Sequence, residues 1–209
     1  FYTTPYGLAS AYYTFLTTNS LSAGAGFSIV YDMVNVEGGI LVYIANASNA
    51  QILQLVNVND YPNDTDWHHV VVTFDKALST KNAVIYVDNA FKSHVDDHAS
   101  NEPSNANSQY YLTIGANAAA GNAFPGSLDN LGIWDVVLTN AEISELYNGG
   151  IGAPAHSVQK ASLISYWDFE DAPGSTILGN YPDAISGTLD GTLTNFSVGS
   201  ECGNPVKKL

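Results

Sequence analysis

Asp66–Asp75 reads "DWHHVVVTFD", and after a short polar spacer Lys81–Asn89 reads "KNAVIYVDN". β-Branched and aromatic residues crowd both stretches, and such side chains pack well on a pleated surface. Runs this short, bounded by Asp, Lys and Asn, read as strands rather than helices. The pattern predicts strands over His68–Asp75 and Ala83–Val87. Asp88 and Asn89 tolerate left-handed backbone, so they predict a tight hairpin leading into a second short strand through "AFKS".

The same alternation recurs on both sides, broken by Gly, Asn, Asp and Pro. It predicts further strands over Tyr12–Thr17, Phe27–Val34, Gly39–Ala45, Gln51–Val58, Tyr110–Ala116, Gly126–Trp134 and Ile164–Phe169. Each such strand has an apolar face that must be covered, so the expectation is two packed antiparallel sheets. One stretch, "LTNAEISELYNGG", reads as helix. Thr139 and Glu142 form a capping box, Ile143, Leu146 and Tyr147 an apolar stripe, and Gly149 and Gly150 end it. A helix of about two turns would plug an open end of the sandwich. Val95–Gln109 is a polar loop and "AAAGNAFPG" a flexible lead into the next strand; loops at sandwich ends are where recognition surfaces form.

Charge narrows the partners. Six Lys, no Arg and twenty acidic residues give a net charge of −14. That argues against nucleic acid, whose binding needs clustered basic residues; the closest basic pair is Lys207 and Lys208. An acidic surface either keeps a protein dispersed or attracts cations. No apolar run approaches the length of a membrane span. The chain opens on Phe1 without a basic-then-apolar leader, so it reads as a mature or excised piece of something longer. Cys202 is the single cysteine; it is either a free thiol or a partner for another chain.

Two stretches go beyond fold class. "DWHHVVVTFD" with "KNAVIYVDN", and Tyr110–Gly150 ("YYLTIGANAAAGNAFPGSLDNLGIWDVVLTNAEISELYNGG"), resemble the late strands and closing helix of laminin-G-like and pentraxin-like domains. These belong to the concanavalin A-like lectin and glucanase superfamily. "GFSIVYDMV" resembles an early strand of the same family, so the resemblance spans roughly Phe27–Gly150. It implies an all-β, two-sheet antiparallel jelly-roll sandwich, concanavalin A-like, with one short helix. By the same resemblance, Trp67 is the core anchor before the central strand.

In that family, the strand resembling "SLISYWDFED" and the turn resembling "PDAISGTLDGTL" stand at the start of the domain; here they follow the closing helix. The order is permuted. Residues 1–155 then form the sandwich body, and residues 156–209 supply a strand to it. The recipient is either the same chain, whose termini can lie close together, or a neighbouring subunit by strand addition. An unpaired apolar "ISYWDF" edge would invite aggregation, so the strand needs a partner.

The resemblance also implies a calcium ion where the first-strand turn meets an acidic residue of the "G-x-(I/L)-D" strand. The matching residues are Asp183, Gly187 and Asp190 in "DAISGTLDG" and Asp129 in "GSLDN". A hard cation wants about six to eight oxygens, which these carboxylates, turn carbonyls and water can supply. The competing reading makes Asp183 an Asx turn, Asp190 a tight turn before Gly191, and Asp129 a strand-end cap.

His68 and His69 are adjacent on a strand and point to opposite faces, which fits structural roles rather than shared chelation. His94 and His98, flanking Asp96 and Asp97, offer a weaker transition-metal pattern. Trp134 and Trp167 fall on strands and read as core.

Catalysis finds little support. The superfamily's glucanases share an "E-x-D-x-x-E"-like strand that sets two carboxylates about 5 Å apart, and that triplet is missing. Glu142 and Glu145 sit on the helix, and Asp168 and Glu170 share a strand face without a third carboxylate. No G-x-S-x-G elbow occurs. Thirteen Tyr, with clusters at "YYTF" and "QYY", suit sugars and protein surfaces alike, and equally suit antiparallel sheets.

The expectation is a non-catalytic recognition or adhesion module, extracellular or at a cell or virion surface, that binds glycan or protein, with calcium as a structural aid. The alternative is a structural repeat or subunit of a surface fibre or virion that self-associates through residues 161–209. Neither reading involves nucleic acid or membrane insertion.

Overall fold

The computed structural model describes residues 2–3, 11–18, 26–33, 39–45, 51–55, 66–75, 77–78, 83–95, 111–117, 121–171, 177–180 and 191–192. The strands are β1 (Tyr2–Thr3), β2 (Tyr12–Thr17), β3 (Gly26–Asp32), β4 (Gly39–Ala45), β5 (Gln51–Leu55), β6 (Val70–Phe74), β7 (Ala83–Val87), β8 (Ala90–Val95), β9 (Thr113–Ile114), β10 (Ser127–Leu128), β11 (Leu131–Trp134), β12 (Leu163–Trp167), β13 (Ile177–Leu178) and β14 (Gly191–Thr192). Among the described residues a single α-helix, α1 (Asn140–Tyr147), stands between β11 and β12. The chain divides into two compact units, Tyr2–Ser127 and Leu128–Leu209 together with Phe1.

The first unit contains a five-stranded sheet in the order β5-β4-β3-β2-β9 and a three-stranded sheet in the order β6-β7-β8. Their registers are antiparallel throughout. In the larger sheet the central strands are buried on both faces. Consecutive residues Val30 and Tyr31 on β3, and Ile40 and Leu41 on β4, are all buried. Phe15 on β2 packs on Tyr31 and Phe124, at ring separations of 6.3 Å and 4.7 Å. In the smaller sheet β7 alternates as a half-buried strand should: Ala83, Ile85 and Val87 are buried, while Val84 and Tyr86 are only partly so.

The hairpin expected from "VDN" is present. Asp88 and Asn89 take φ values of 50° and 64°, the left-handed pair that joins β7 to β8 in two residues. The expected core role of Trp67 is not: its side chain is 38% exposed, and the buried residues beside it are His68 and His69. Trp67 lies on the irregular approach to β6 rather than on the strand, so sheet alternation does not turn it inward.

In the second unit β11 pairs antiparallel with β12, matching Leu131 with Trp167 and Gly132 with Tyr166. The backbone N–H of Asp135 extends this ladder to Ser162 O at 3.0 Å. The strand expected at Ile164–Phe169 therefore lies at Leu163–Trp167, paired within its own chain. Ala155, Leu163 and Tyr166 form a small core against which Trp134 packs, and the Trp134 indole N–H donates to Val158 O at 3.1 Å.

Helix α1 follows its sequence signals at the start and departs from them at the end. Thr139 is the N-cap of a full capping box with Glu142, and Ile143 and Leu146 are the buried stripe. The helix stops one residue before the glycines, because Asn148 takes the left-handed C-cap position at φ 47°.

Candidate functional site

The long strand expected over Gly126–Trp134 is broken at Asp129–Asn130, where Asn130 takes φ 52°. Asn is among the few residues that adopt this conformation at small cost. The break leaves the Asp129 side chain almost wholly buried, 9% exposed. Asn130 then serves two partners: its Nδ2 donates to Asp129 Oδ2 at 2.9 Å, and its Oδ1 accepts the hydroxyl of Tyr166. The register explains the reach, since Tyr166 stands opposite Gly132, two residues along the chain from Asn130.

Tyr166 is held from its other side by Asn180, whose Oδ1 accepts the Tyr166 backbone N–H at 2.9 Å. Asn180 also donates Nδ2 to Ser165 Oγ at 3.3 Å. The ring of His156 lies 5.8 Å from that of Tyr166.

Four acidic residues belong to this neighbourhood or its margin: Asp129, Asp168, Glu170 and Asp171. Burial pushes the Asp129 carboxyl above its ordinary value, the Asn130 hydrogen bond opposes that rise, and the charge of Asp168 adds to it. Burial likewise raises the Tyr166 hydroxyl, with Asp168, Asp129 and Glu170 contributing. Asp168 and Glu170 do not share a strand face. β12 ends at Trp167, Phe169 takes φ 59°, and the Glu170 N–H turns back to Asp168 Oδ1 at 3.1 Å. Asp171 Oδ2 accepts the Gly179 N–H at 3.0 Å.

Of the four expected metal ligands, Asp129 lies in the break between β10 and β11. Asp183, Gly187 and Asp190 lie outside the described residues. Among the described residues no three His, Cys, Asp or Glu side chains converge as a metal site. His94 is described in its backbone alone, and Asp96, Asp97 and His98 lie outside the described residues, as do Cys202, Lys207 and Lys208. Sequence reasoning does not find Asp168 and Asn130 as neighbours of Asp129, or Asn180 as the partner of Tyr166. Asn130 and Asn180 carry no charge, and only the β11–β12 register brings Asp168 near.

A second polar node occupies the first unit. His68 Nδ1 and Asp88 Oδ2 are 2.8 Å apart, and the His69 N–H donates to Asp88 Oδ1 at 2.9 Å. The Asp88 N–H returns to His69 O at 2.9 Å. Burial works against the Asp88 charge, but hydrogen bonds from His68 and His69 and the His68 charge hold its carboxyl below the ordinary value. Burial lowers His69 to about 3, against the pull of Asp88.

Outward aromatic side chains are the remaining candidates. Tyr111, from the "QYY" cluster, is 94% exposed, and Phe91 is 53% exposed beside Tyr86 in an edge-to-face pair at 6.2 Å. In the "YYTF" cluster, Tyr12 and Tyr13 are half-buried and Phe15 is core. Trp167 is core as expected, and Trp134 is half-buried.

No helix among the described residues is long and apolar enough to cross a membrane. A search of the curated proteins returns no match. A laminin G family model, described as the concanavalin A-like lectin/glucanases superfamily, matches residues 6–144 of the 209. That span takes in every strand of both larger sheets and most of α1. With both larger sheets antiparallel and one short α-helix among the described residues, the chain belongs to the laminin G-like family of the concanavalin A-like lectin/glucanase superfamily.

Proposed function

We propose that this chain is a non-catalytic extracellular recognition module that binds glycan, or failing that a protein surface, through outward aromatic side chains. Family membership supports a carbohydrate- or protein-binding role, and Tyr111 is the observation that carries the choice of surface. A tyrosine ring left 94% exposed buries almost nothing in the fold, while its flat face and hydroxyl suit a sugar ring. Structural calcium at Asp129, Asp183, Gly187 and Asp190 is part of the proposal. It is supported by the buried Asp129 carboxyl, whose charge burial disfavours and a cation would relieve. A panel of immobilised glycans, probed with and without calcium and assayed in parallel for release of reducing sugar, tests the reading. Saturable binding without turnover supports it.

The alternative, a fibre or virion subunit assembling through its C-terminal segment, is favoured by Ile164 and Ile177, apolar residues left 49% and 53% exposed there. Against it stands the pairing of β12 with β11 of the same chain. Multimers on sizing that dissolve when residues 161–209 are trimmed would favour the alternative.

A further inference from the structure

We propose that His68 and Asp88 form a proton-operated latch that tightens the β7–β8 turn against the segment leading into β6 when the surroundings become mildly acidic. This inference does not rest on the glycan-binding reading. It starts from the contrast between two neighbouring histidines. Both are buried, at 6% exposure each, and burial alone disfavours an imidazolium. Asp88 separates them. It meets His68 through the ring, Nδ1 to Oδ2 at 2.8 Å, and His69 through the backbone, N–H to Oδ1 at 2.9 Å. A proton taken by His68 therefore lands beside a carboxylate and turns a hydrogen bond between a neutral imidazole and a carboxylate into a hydrogen-bonded ion pair. Burial holds His69 at about 3, so it stays neutral across the physiological range.

What the latch holds is a defined element. Asp88 is the first residue of the two-residue turn, at φ 50°, and its own N–H donates to His69 O at 2.9 Å. Three hydrogen bonds thus converge on one residue and tie the hairpin to the 68–69 segment. Asp88, His68 and His69 meet here through their hydrogen bonds, and the charge of the N-terminus also opposes protonation of His69. Asp66 stands on the approach to β6, Tyr86 on β7 and Lys92 on β8, further along the same elements.

The sign follows from linkage. A His68 that gains a carboxylate partner on folding contributes stability that is complete below the unfolded histidine value of about 6.5 and is lost as pH rises through the folded value. Asp88, held low, contributes stability above the unfolded aspartate value of about 3.9 that is lost as pH falls through its folded value. The latch is tightest between those limits.

Histidine C–H titration by NMR on the intact chain tests this, with His68 assigned using His68→Gln. The expected result is a His68 midpoint about one unit higher than in Asp88→Asn, with His69 silent between pH 5 and 8. The melting temperature of wild type over His68→Gln should also widen as pH drops from 8 to 5.5. Equal His68 midpoints in wild type and Asp88→Asn, or a difference in melting temperature that ignores pH, would overturn the latch. Should either variant fail to fold, the wild-type midpoint decides: above about 6.5 it supports the proposal, and at or below that value it contradicts it.

Discussion

The indole of Trp134 covers the backbone of Gly132, so that a Cβ placed on Gly132 would stand 2.5 Å from its Cη2 and 2.9 Å from the Cβ of Ala155. No rotation of a flexible tail relieves this contact, because the ring is tethered by its N–H to Val158 O and packs on the Ala155–Leu163–Tyr166 core. Gly132→Ala is therefore expected to destabilise the protein by about 1–3 kcal/mol, the usual cost of forcing an extra carbon into a packed site. Urea unfolding followed by tryptophan fluorescence measures it. A variant as stable as wild type would remove Trp134 from its place over the glycine.

Asn180 is the acceptor for the Tyr166 backbone N–H, and both residues are buried. Asn180→Ala strands that N–H and is expected to cost about 1–3 kcal/mol. Asn180→Asp keeps an acceptor oxygen at the site, so equilibrium unfolding should rank it between wild type and the alanine variant at neutral pH.

Asp129 gives a prediction whose sign depends on calcium. Its folded value lies above the unfolded aspartate value, so its contribution to stability is complete below about 3.9 and is lost as pH rises through the folded value. In chelator at pH 7, Asp129→Asn should melt no lower than wild type and is expected to melt higher, the gap closing as pH falls towards 4. Added calcium should reverse the order by stabilising wild type alone. Melting curves unmoved by calcium in either protein would end the metal proposal.

Much of this architecture was readable in the residues because the deciding signals are local. Tyr12–Thr17, Gly39–Ala45 and Ala83–Val87 begin and end where their alternation does, and Thr139 with Glu142 marks the start of the helix. The Asp88–Asn89 turn followed from two side chains that tolerate positive φ. Local pattern failed where tertiary partners decide. Nothing in "GSLDNLGIW" announces that Asn130 will break the strand to reach Tyr166, thirty-six residues away in sequence. The family resemblance implies a core anchor at Trp67, yet the irregular backbone there leaves the two histidines buried instead. Asp168 and Glu170 looked like neighbours on a strand face until Phe169, at φ 59°, ended the alternation.

Surface aromatics separate function from stability. Tyr111 is 94% exposed, so Tyr111→Ala should leave stability within about 0.5 kcal/mol of wild type, as for most surface substitutions. If its ring stacks on a sugar, the same change should weaken glycan binding about tenfold or more, the effect of losing roughly 1.4 kcal/mol of contact. Comparing melting temperature and affinity on one preparation distinguishes the two effects.

The most direct test is the binding of wild type and Tyr111→Ala to one glycan panel at neutral pH with calcium present, each protein first shown to be folded and monomeric. A recognition module of the kind proposed binds at least one glycan saturably, leaves it uncleaved, and loses affinity with the tyrosine. Binding that is indifferent to Tyr111, or a folded wild-type protein that binds no glycan while assembling into multimers through residues 161–209, would contradict it.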